Sequence, residues 1–323
     1  MPYPTSGTTP AALTKAAIQS IQTDPTKFGF VGLQVLQLFN TPNISDTGIP
    51  VFSVDNWLKG VDVTRAPDGT YPRLRFATGT FDYSCKEKGL EGPLDDATVR
   101  MYSDYFDAEA VVGRYTLLHL LMEQEKRIVT LLHATGTFTN AAATAVWSSA
   151  ANGVPQADIT AAKKSRHLAT GFEPNAMVIN SEQYDAICGT NEVRNRVVYN
   201  VVPQGYVARL PLPVVAGALG LEYLFVAKGI KDTAGEGVTA STAALWDRTK
   251  AFVFYHEPDP GRNNLMTPCV GRTMLWTKDT PENELVETYR EDKVRGNIVR
   301  VRQYTHEVVI NSALGYIITG VLA

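Results

Sequence analysis

The sequence lacks the motifs by which most enzymes are recognised. It has no HExxH pair for zinc, no GxSxG turn around a nucleophilic serine and no GxxxxGK[ST] loop for a phosphate. The glycines of Gly217-Ala218-Leu219-Gly220 precede a predicted strand instead of joining a strand to a helix, so they do not indicate a nucleotide site. We therefore predict no catalytic residue, no cofactor and no metal site.

The sequence also has few cysteines, no long apolar run and only a small net charge. Cys85, Cys188 and Cys269 are widely separated and form no CxxC pair, which favours a reducing compartment and buried thiols over a disulfide or zinc site. The longest apolar stretch is the short ALGYIITGVLA, so we predict neither a signal peptide nor a membrane span. Because 30 basic and 33 acidic residues give a formal charge of −3, any contact with DNA is expected to be local.

Three polar features are candidate sites, and for each of them the sequence favours a structural explanation. Asp95-Asp96 is a carboxylate pair, but acidic residues at this place typically start a helix. The segment HEPDPG, from His256 to Gly261, is rich in turn residues. The basic residues near the end of the chain lack interleaved aromatic side chains, so a solvated face or salt bridges between subunits are favoured over DNA contact. They are Arg290, Lys293, Arg295, Arg300 and Arg302.

A long amphipathic helix is the strongest positive signal. The spacing predicts a helix from Asp107 to Ala134, about 40 Å long at 1.5 Å per residue, which is longer than most helices of compact enzymes. Apolar residues at three-and-four spacing form its predicted buried face. They are Val111, Val112, Tyr115, Leu118, Met122, Val129 and Leu132.

An extended hairpin precedes that helix. Two β-rich runs, 51–64 and 71–85, flank the turn residues Ala66 to Thr70. Charged residues alternate with apolar ones through both runs, so a projecting hairpin would leave both faces partly wet. The pattern therefore implies that a partner covers it.

The remaining chain has mixed α+β patterning. The start mixes Pro, Thr and Ser with a helical piece from Pro10 to Gln22, which is typical of an arm that docks on a larger body. The small-residue stretch after the long helix is predicted to be a flexible linker anchored only by Trp147. A helix from Asp158 to Thr170 follows, and then strands alternate with short helices up to a strand in which Val299 and Val301 alternate with arginines.

In this order, these elements resemble a known family. The strand DYSCKEKGLEGPLDD, the helix ending LLHLLMEQEKRIVTLL, the segment PQADITAAKKSRHLATGFEPNAMVINSEQYDAI and the strand KAFVFYHE are similar to the major capsid proteins of tailed bacteriophages, with the Hong Kong 97-type fold. The resemblance implies an α+β chain divided into four parts. They are an N-terminal arm (1–45), an extended β-hairpin loop (46–95), a peripheral domain with a long spine helix (96–168 and 286–323) and an axial domain (169–285).

The resemblance also implies a function. A major head protein self-assembles as hexamers and pentamers into an icosahedral shell around double-stranded DNA, which it contacts non-specifically, and it is not an enzyme. Scaffolding, portal and decoration proteins are further partners, a membrane is not, and the virion is the expected location after assembly in the host cytoplasm. Two alternatives stay open: an encapsulin-type compartment that packages an enzyme, and a cytoplasmic α+β enzyme whose hairpin is a dimerisation arm, because catalytic sites are often assembled from scattered residues.

Overall fold

The protein is described by a computed structural model, which covers residues 28–54, 58, 60, 62–65, 67, 69–73, 78–198, 209–235 and 237–323. Its strands are β1 (Leu38–Thr41), β2 (Ser45–Val51), β3 (Gly79–Ser84), β4 (Lys86–Asp95), β5 (Thr139–Ala142), β6 (Ala176–Asn180), β7 (Tyr223–Ala227), β8 (Ile230–Asp232), β9 (Thr242–Ala244), β10 (Lys250–Phe254), β11 (Gly271–Trp276), β12 (Leu285–Glu291), β13 (Gly296–Val309) and β14 (Gly315–Thr319). Its helices are α1 (Gly32–Val35), α2 (Asp96–Tyr102), α3 (Ala108–Leu132), α4 (Pro155–Thr170), α5 (Ser181–Gly189), α6 (Asn191–Val198) and α7 (Leu212–Ala218). The predicted helix from Pro10 to Gln22 lies outside the described residues, and no described helix is long and apolar enough to cross a membrane.

The first sheet is organised around β13. This strand pairs antiparallel with β4, β12 and β11, and β1 adds to β11 in parallel. Val299 and Val301 are fully buried, whereas Arg300 and Arg302 alternate with them and reach carboxylates. The period-two pattern of the sequence therefore predicted this strand correctly.

The second sheet has the order β5-β14-β10-β6-β7. All five residues of β6 are buried because apolar groups cover both faces of that strand. Trp147, Ile159 and Val253 belong to the core on one face, together with the helices α4 to α7. Ile128 and Phe252 belong to the core on the other face. The predicted stop of α4 is confirmed, since Gly171 ends the helix in the left-handed conformation at φ +75°.

The long helix α3 supports both sheets. It extends over 25 residues, about 38 Å at 1.5 Å per residue, and Asp107 caps it by accepting hydrogen bonds from the N–H groups of Glu109 and Ala110. Its first half contacts β4 and β13, and Ile128 and Leu132 near its end belong to the core of the second sheet. This helix was predicted with nearly correct bounds.

The buried face of α3 differs from the predicted one. Val111 and Tyr115 are 48% and 66% exposed, while Gly113, Gln124 and Glu125 are buried. Small residues permit a close approach here: a Cβ at Gly92 of β4 would lie 2.3 Å from Cγ1 of Val112. A prediction from hydropathy places glycine and glutamate on the exposed face of a helix. The predicted buried face of α3 is therefore rotated about the helix axis relative to the observed one.

The strand pairing crosses the predicted domain boundaries. β1 and β11, placed in the arm and the axial domain, join the first sheet with β13. β5 and β14, placed in the peripheral domain, join the second sheet beside β10. Strands that pair in a sheet are often far apart in the sequence. Local sequence patterns therefore do not predict which strands pair. The four-part division stays a prediction.

Two local predictions were wrong. The strands of the hairpin are shorter than predicted, since the described residues between Val51 and Gly79 contain none. The small-residue stretch after α3 is not a linker with a single anchor, because β5 pairs with β14 and Phe138 is buried as deeply as a core residue.

Candidate functional site

The polar clusters singled out in the sequence have structural roles. The carboxylate of Asp96, in the first turn of α2, accepts two hydrogen bonds from Arg290 at 3.0 and 2.7 Å, and that contact lowers the pKa of Asp96. His256 is buried edge-on against Tyr223 and Phe225, and burial lowers its pKa. Within the described ranges, no three His, Cys, Asp or Glu side chains lie close enough to hold a metal ion.

The cysteine thiols are free and are not activated as nucleophiles. Cys85 and Cys188 are buried, and Cys269 is half-buried. Burial raises the pKa of Cys85 to about 11 and also raises the pKa of the other two thiols. A thiol in such surroundings stays protonated at neutral pH, so it is a poor nucleophile and a poor metal ligand.

The terminal arginines pair within the chain. Arg300 donates to Glu91 at 2.7 Å, which ties β13 to β4. Arg302 donates to both oxygens of Glu287 at 3.2 Å and also pairs with Asp279. These acidic partners are distant in sequence, so sequence reasoning could not identify them. Arg300 and Arg302 therefore fix the first sheet through ion pairs within the chain.

Glu125 is a buried carboxylate at the centre of the fold. Its oxygens accept hydrogen bonds from the N–H groups of Val31 and Gly32 at 2.8 to 3.0 Å and from Nε1 of Trp246 at 2.7 Å. Burial raises the pKa of Glu125, and these three donors oppose the rise. The contact joins α3, the start of α1 and the segment after β9, so it ties together three distant parts of the chain.

The hairpin is held at its base and exposed beyond it. β2 and β3 pair antiparallel, with a shift in register between Asp46 and Ile49 where Gly48 has φ +67°. The segment after β2 packs on the body through the edge-to-face contact of Phe52 with Phe172. Further out, Val63 and Tyr71 are 83% and 72% exposed, and Arg65 lies 4.8 Å from the ring centre of Tyr71.

A second exposed apolar area lies at the start of the long helix. We call it the 99–115 surface; it consists of residues of α2, of the turn after it and of the first two turns of α3. Tyr102 and Phe106 stack with ring centres 5.1 Å apart, and Tyr105 is 82% exposed. Its members are Val99, Met101, Tyr102, Tyr105, Phe106, Val111 and Tyr115.

These two areas form the candidate functional site. Large exposed apolar side chains concentrated in one segment typically mark a surface that another molecule covers. The sequence indicated the need for a partner at the hairpin. It missed the 99–115 surface because Val111 and Tyr115 were placed on the buried face of α3.

The comparisons with known proteins agree on the fold. No family model and no curated protein matches the sequence. A crystal structure of a phage-related protein from Bordetella bronchiseptica RB50 matches with a TM-score of 0.71 and 16% identity, over 98% of both chains. A protein assigned as the capsid protein of a prophage of E. coli CFT073 matches with a TM-score of 0.53 and 11% identity, over 94% of this chain and 97% of that one.

The chain has the phage capsid fold. The virus-like particle of Pyrococcus furiosus has the same fold, with a TM-score of 0.53 and 11% identity over 94% of this chain and 98% of that one. At sequence identities of 11 to 16%, the similarity to these structures shows a shared fold and does not by itself show a shared function. The capsid fold and the α+β class predicted from the sequence are thus confirmed.

Proposed function

We propose that this protein is a major capsid protein that self-assembles into the icosahedral head of a tailed bacteriophage around double-stranded DNA. The observation that carries the proposal is the match to the prophage capsid protein over 94% of this chain and 97% of that one, and the match to the phage-related protein over 98% of both chains agrees with it. Its role is structural and not enzymatic, with the Hong Kong 97-type organisation that the sequence resembles.

The proposed mechanism is repeated contact between identical subunits. The hairpin of one subunit lies over its neighbour, and rings of five and six subunits are joined into a closed shell by such heterologous contacts. The exposed side chains of Val63 and Tyr71 on the hairpin, and of the 99–115 surface, supply apolar area that the described residues do not cover. Because each contact recurs many times, a modest free energy for each one suffices.

The other partners follow from the same proposal. The shell interior faces packaged DNA without sequence preference, in keeping with the near-balanced charge of the chain. Scaffolding, portal and decoration proteins would bind the assembled lattice. The protein would occur in the host cytoplasm before assembly and in the virion after it.

The first test is assembly of the chain expressed alone in bacteria. We expect sedimentation and negative-stain electron microscopy to show uniform shells, tubes or rings of five and six. A chain that stays monomeric or dimeric at high concentration, also with co-expressed scaffold, contradicts the proposal. The contents of the purified particles distinguish the two kinds of shell. A folded enzyme that co-purifies inside them favours a cargo compartment, and shells without protein cargo favour a phage head.

A matched pair of variants tests the role of the hairpin. Val63→Asp combined with Tyr71→Ser removes its exposed apolar groups, and we expect assembly to be lost while the folded subunit remains. The control, Val63→Ile with Tyr71→Phe, keeps apolar area and is expected to assemble. Assembly of both variants alike would contradict a contact through the hairpin.

A further inference from the structure

We propose that a cleft beside β11 binds a small oxyanion group, a carboxylate or a phosphate, through Arg272 and Arg262. The cleft has a volume of about 260 Å³ and lies between the α1–β1 segment and the loop 258–262. Leu33, Leu38 and Gln37 line one side, and the two arginines line the other. The inference does not depend on the proposed function.

Arg272 carries a buried positive charge without a counter-charge. The residue is 1% exposed, yet among the described residues no carboxylate forms a salt bridge with it. Its Nε has no hydrogen-bond partner among the described residues. Its other donors reach the carbonyls of Pro260 and Asn264 and Oε1 of Gln37 at 3.4 to 3.5 Å, and the side chain also hydrogen-bonds the uncharged thiol of Cys269. Distances of this length give weak hydrogen bonds, so the guanidinium is under-satisfied.

Arg302 shows what a satisfied arginine looks like in the same sheet. Its side chain is 15% exposed and binds two carboxylates, those of Glu287 and Asp279. Arg272 is buried more deeply and binds none. Because a buried charge is costly unless it is paired, an anion from outside the described chain is the expected complement.

The surroundings limit the size and charge of the ligand. The backbone carbonyl of Arg262 accepts a hydrogen bond from the N–H of Asn40 at 2.8 Å, which holds this exposed arginine at the mouth of the cleft. Asp259 also lines the cleft and offsets part of its positive charge. A group with one or two negative charges therefore fits better than a polyanion such as DNA.

The test is thermal unfolding of the full chain in millimolar sodium phosphate against sodium chloride of equal ionic strength. We expect a saturable rise of Tm in phosphate, and Arg262→Ala to weaken the apparent affinity about tenfold through loss of a charge-assisted hydrogen bond. Arg248→Ala removes an exposed arginine outside the cleft and should leave the response unchanged. Equal Tm values in both salts, or an unchanged response of Arg262→Ala, would overturn the inference.

A second measurement identifies the source of the anion without depending on Arg272 variants, which could fail to fold. Sedimentation of the chain is compared in phosphate and in chloride. If a carboxylate of a second copy occupies the cleft, phosphate competes with it and weakens self-association; if a free anion occupies it, self-association is unchanged. Weakened and unchanged self-association each support the oxyanion site, provided that phosphate binding is saturable in the thermal unfolding test.

Discussion

The long helix α3 and the turn just before it meet opposite conditions. Around Glu125 in α3, three donors from distant parts of the chain satisfy a buried carboxylate. Around Tyr105 and Phe106, just before α3, large apolar side chains face solvent. The contacts of Glu125 are complete within the described residues, whereas no described residue covers Tyr105. Contacts such as those of Glu125 therefore stabilise the folded subunit, whereas the exposed apolar side chains indicate a surface that binds another molecule.

The sharpest test of this contrast removes the exposed apolar groups. Tyr105→Ser combined with Phe106→Ser should abolish particle formation while the free energy of unfolding changes by less than about 0.5 kcal/mol, because these rings add little to the core. Electron microscopy and denaturant unfolding measure the two effects. The exchange Tyr105→Phe with Phe106→Tyr keeps the apolar area and should still assemble. A large loss of stability in the serine variant would show that the 99–115 surface belongs to the core.

The next largest effect is expected at Glu125. Glu125→Ala leaves the N–H groups of Val31, Gly32 and Trp246 buried without an acceptor, and we expect a loss of about 3 kcal/mol or more in the free energy of unfolding. Glu123→Ala changes a carboxylate of the same helix that is exposed and pairs with Lys126, so little change is expected. Denaturant titration of both variants is the measurement. Similar stabilities would show that the buried contact is unimportant.

Arg302 and Arg290 permit the same comparison within the first sheet. Arg302→Ala leaves the carboxylates of Glu287 and Asp279 without their cation, and we expect a loss of about 2 kcal/mol because the group is half-buried. Arg290→Ala removes an exposed pair with Asp96 and should change stability little. The prediction fails if thermal unfolding shows the Arg290 variant to be the less stable one.

The smallest effect concerns pH and the loop before β12. Burial, and next to it the charge of Glu282, raises the pKa of Glu284 to about 7 from its ordinary 4.5, although a hydrogen bond from Asn283 opposes the rise. The folded protein then holds a proton that the unfolded chain has released, so this contribution to stability is complete below pH 4.5 and declines as the pH rises to about 7.

Glu284→Gln keeps the shape of the side chain and removes its titration. We expect the decline of stability between these pH values to become flatter, as measured by urea unfolding at a series of pH values. Glu123→Gln, at an exposed position of α3, should leave the slope unchanged. An unaltered slope in Glu284→Gln would assign the pH dependence to other groups.

The elements that sequence reasoning predicted well are those with strong local signals. The bounds of α3 follow from its periodicity and from Asp107, and the end of α4 follows from Gly171. Strand β13 follows from alternation at Val299 and Val301. In each case the pattern and the cap act within a few residues, so the chain itself carries the information.

The functional surface was predicted only in part for the same reason. The charge pattern of the hairpin indicated that a partner is needed, and Val63 and Tyr71 are indeed exposed. The 99–115 surface was missed because the rotation of α3 depends on what packs against it, including the close approach of Gly92 to Val112. Hydropathy cannot report a contact between residues that are distant in sequence.

Local periodicity and the order of elements were enough to predict the α+β class, the long helix, the exposed hairpin and the resemblance to phage capsid proteins. Only the folded chain shows which strands share a sheet, how α3 is rotated, that Glu125 is satisfied and that Nε of Arg272 is not. Those features arise from long-range packing and from desolvation of polar groups, which depend on neighbours brought together only by folding.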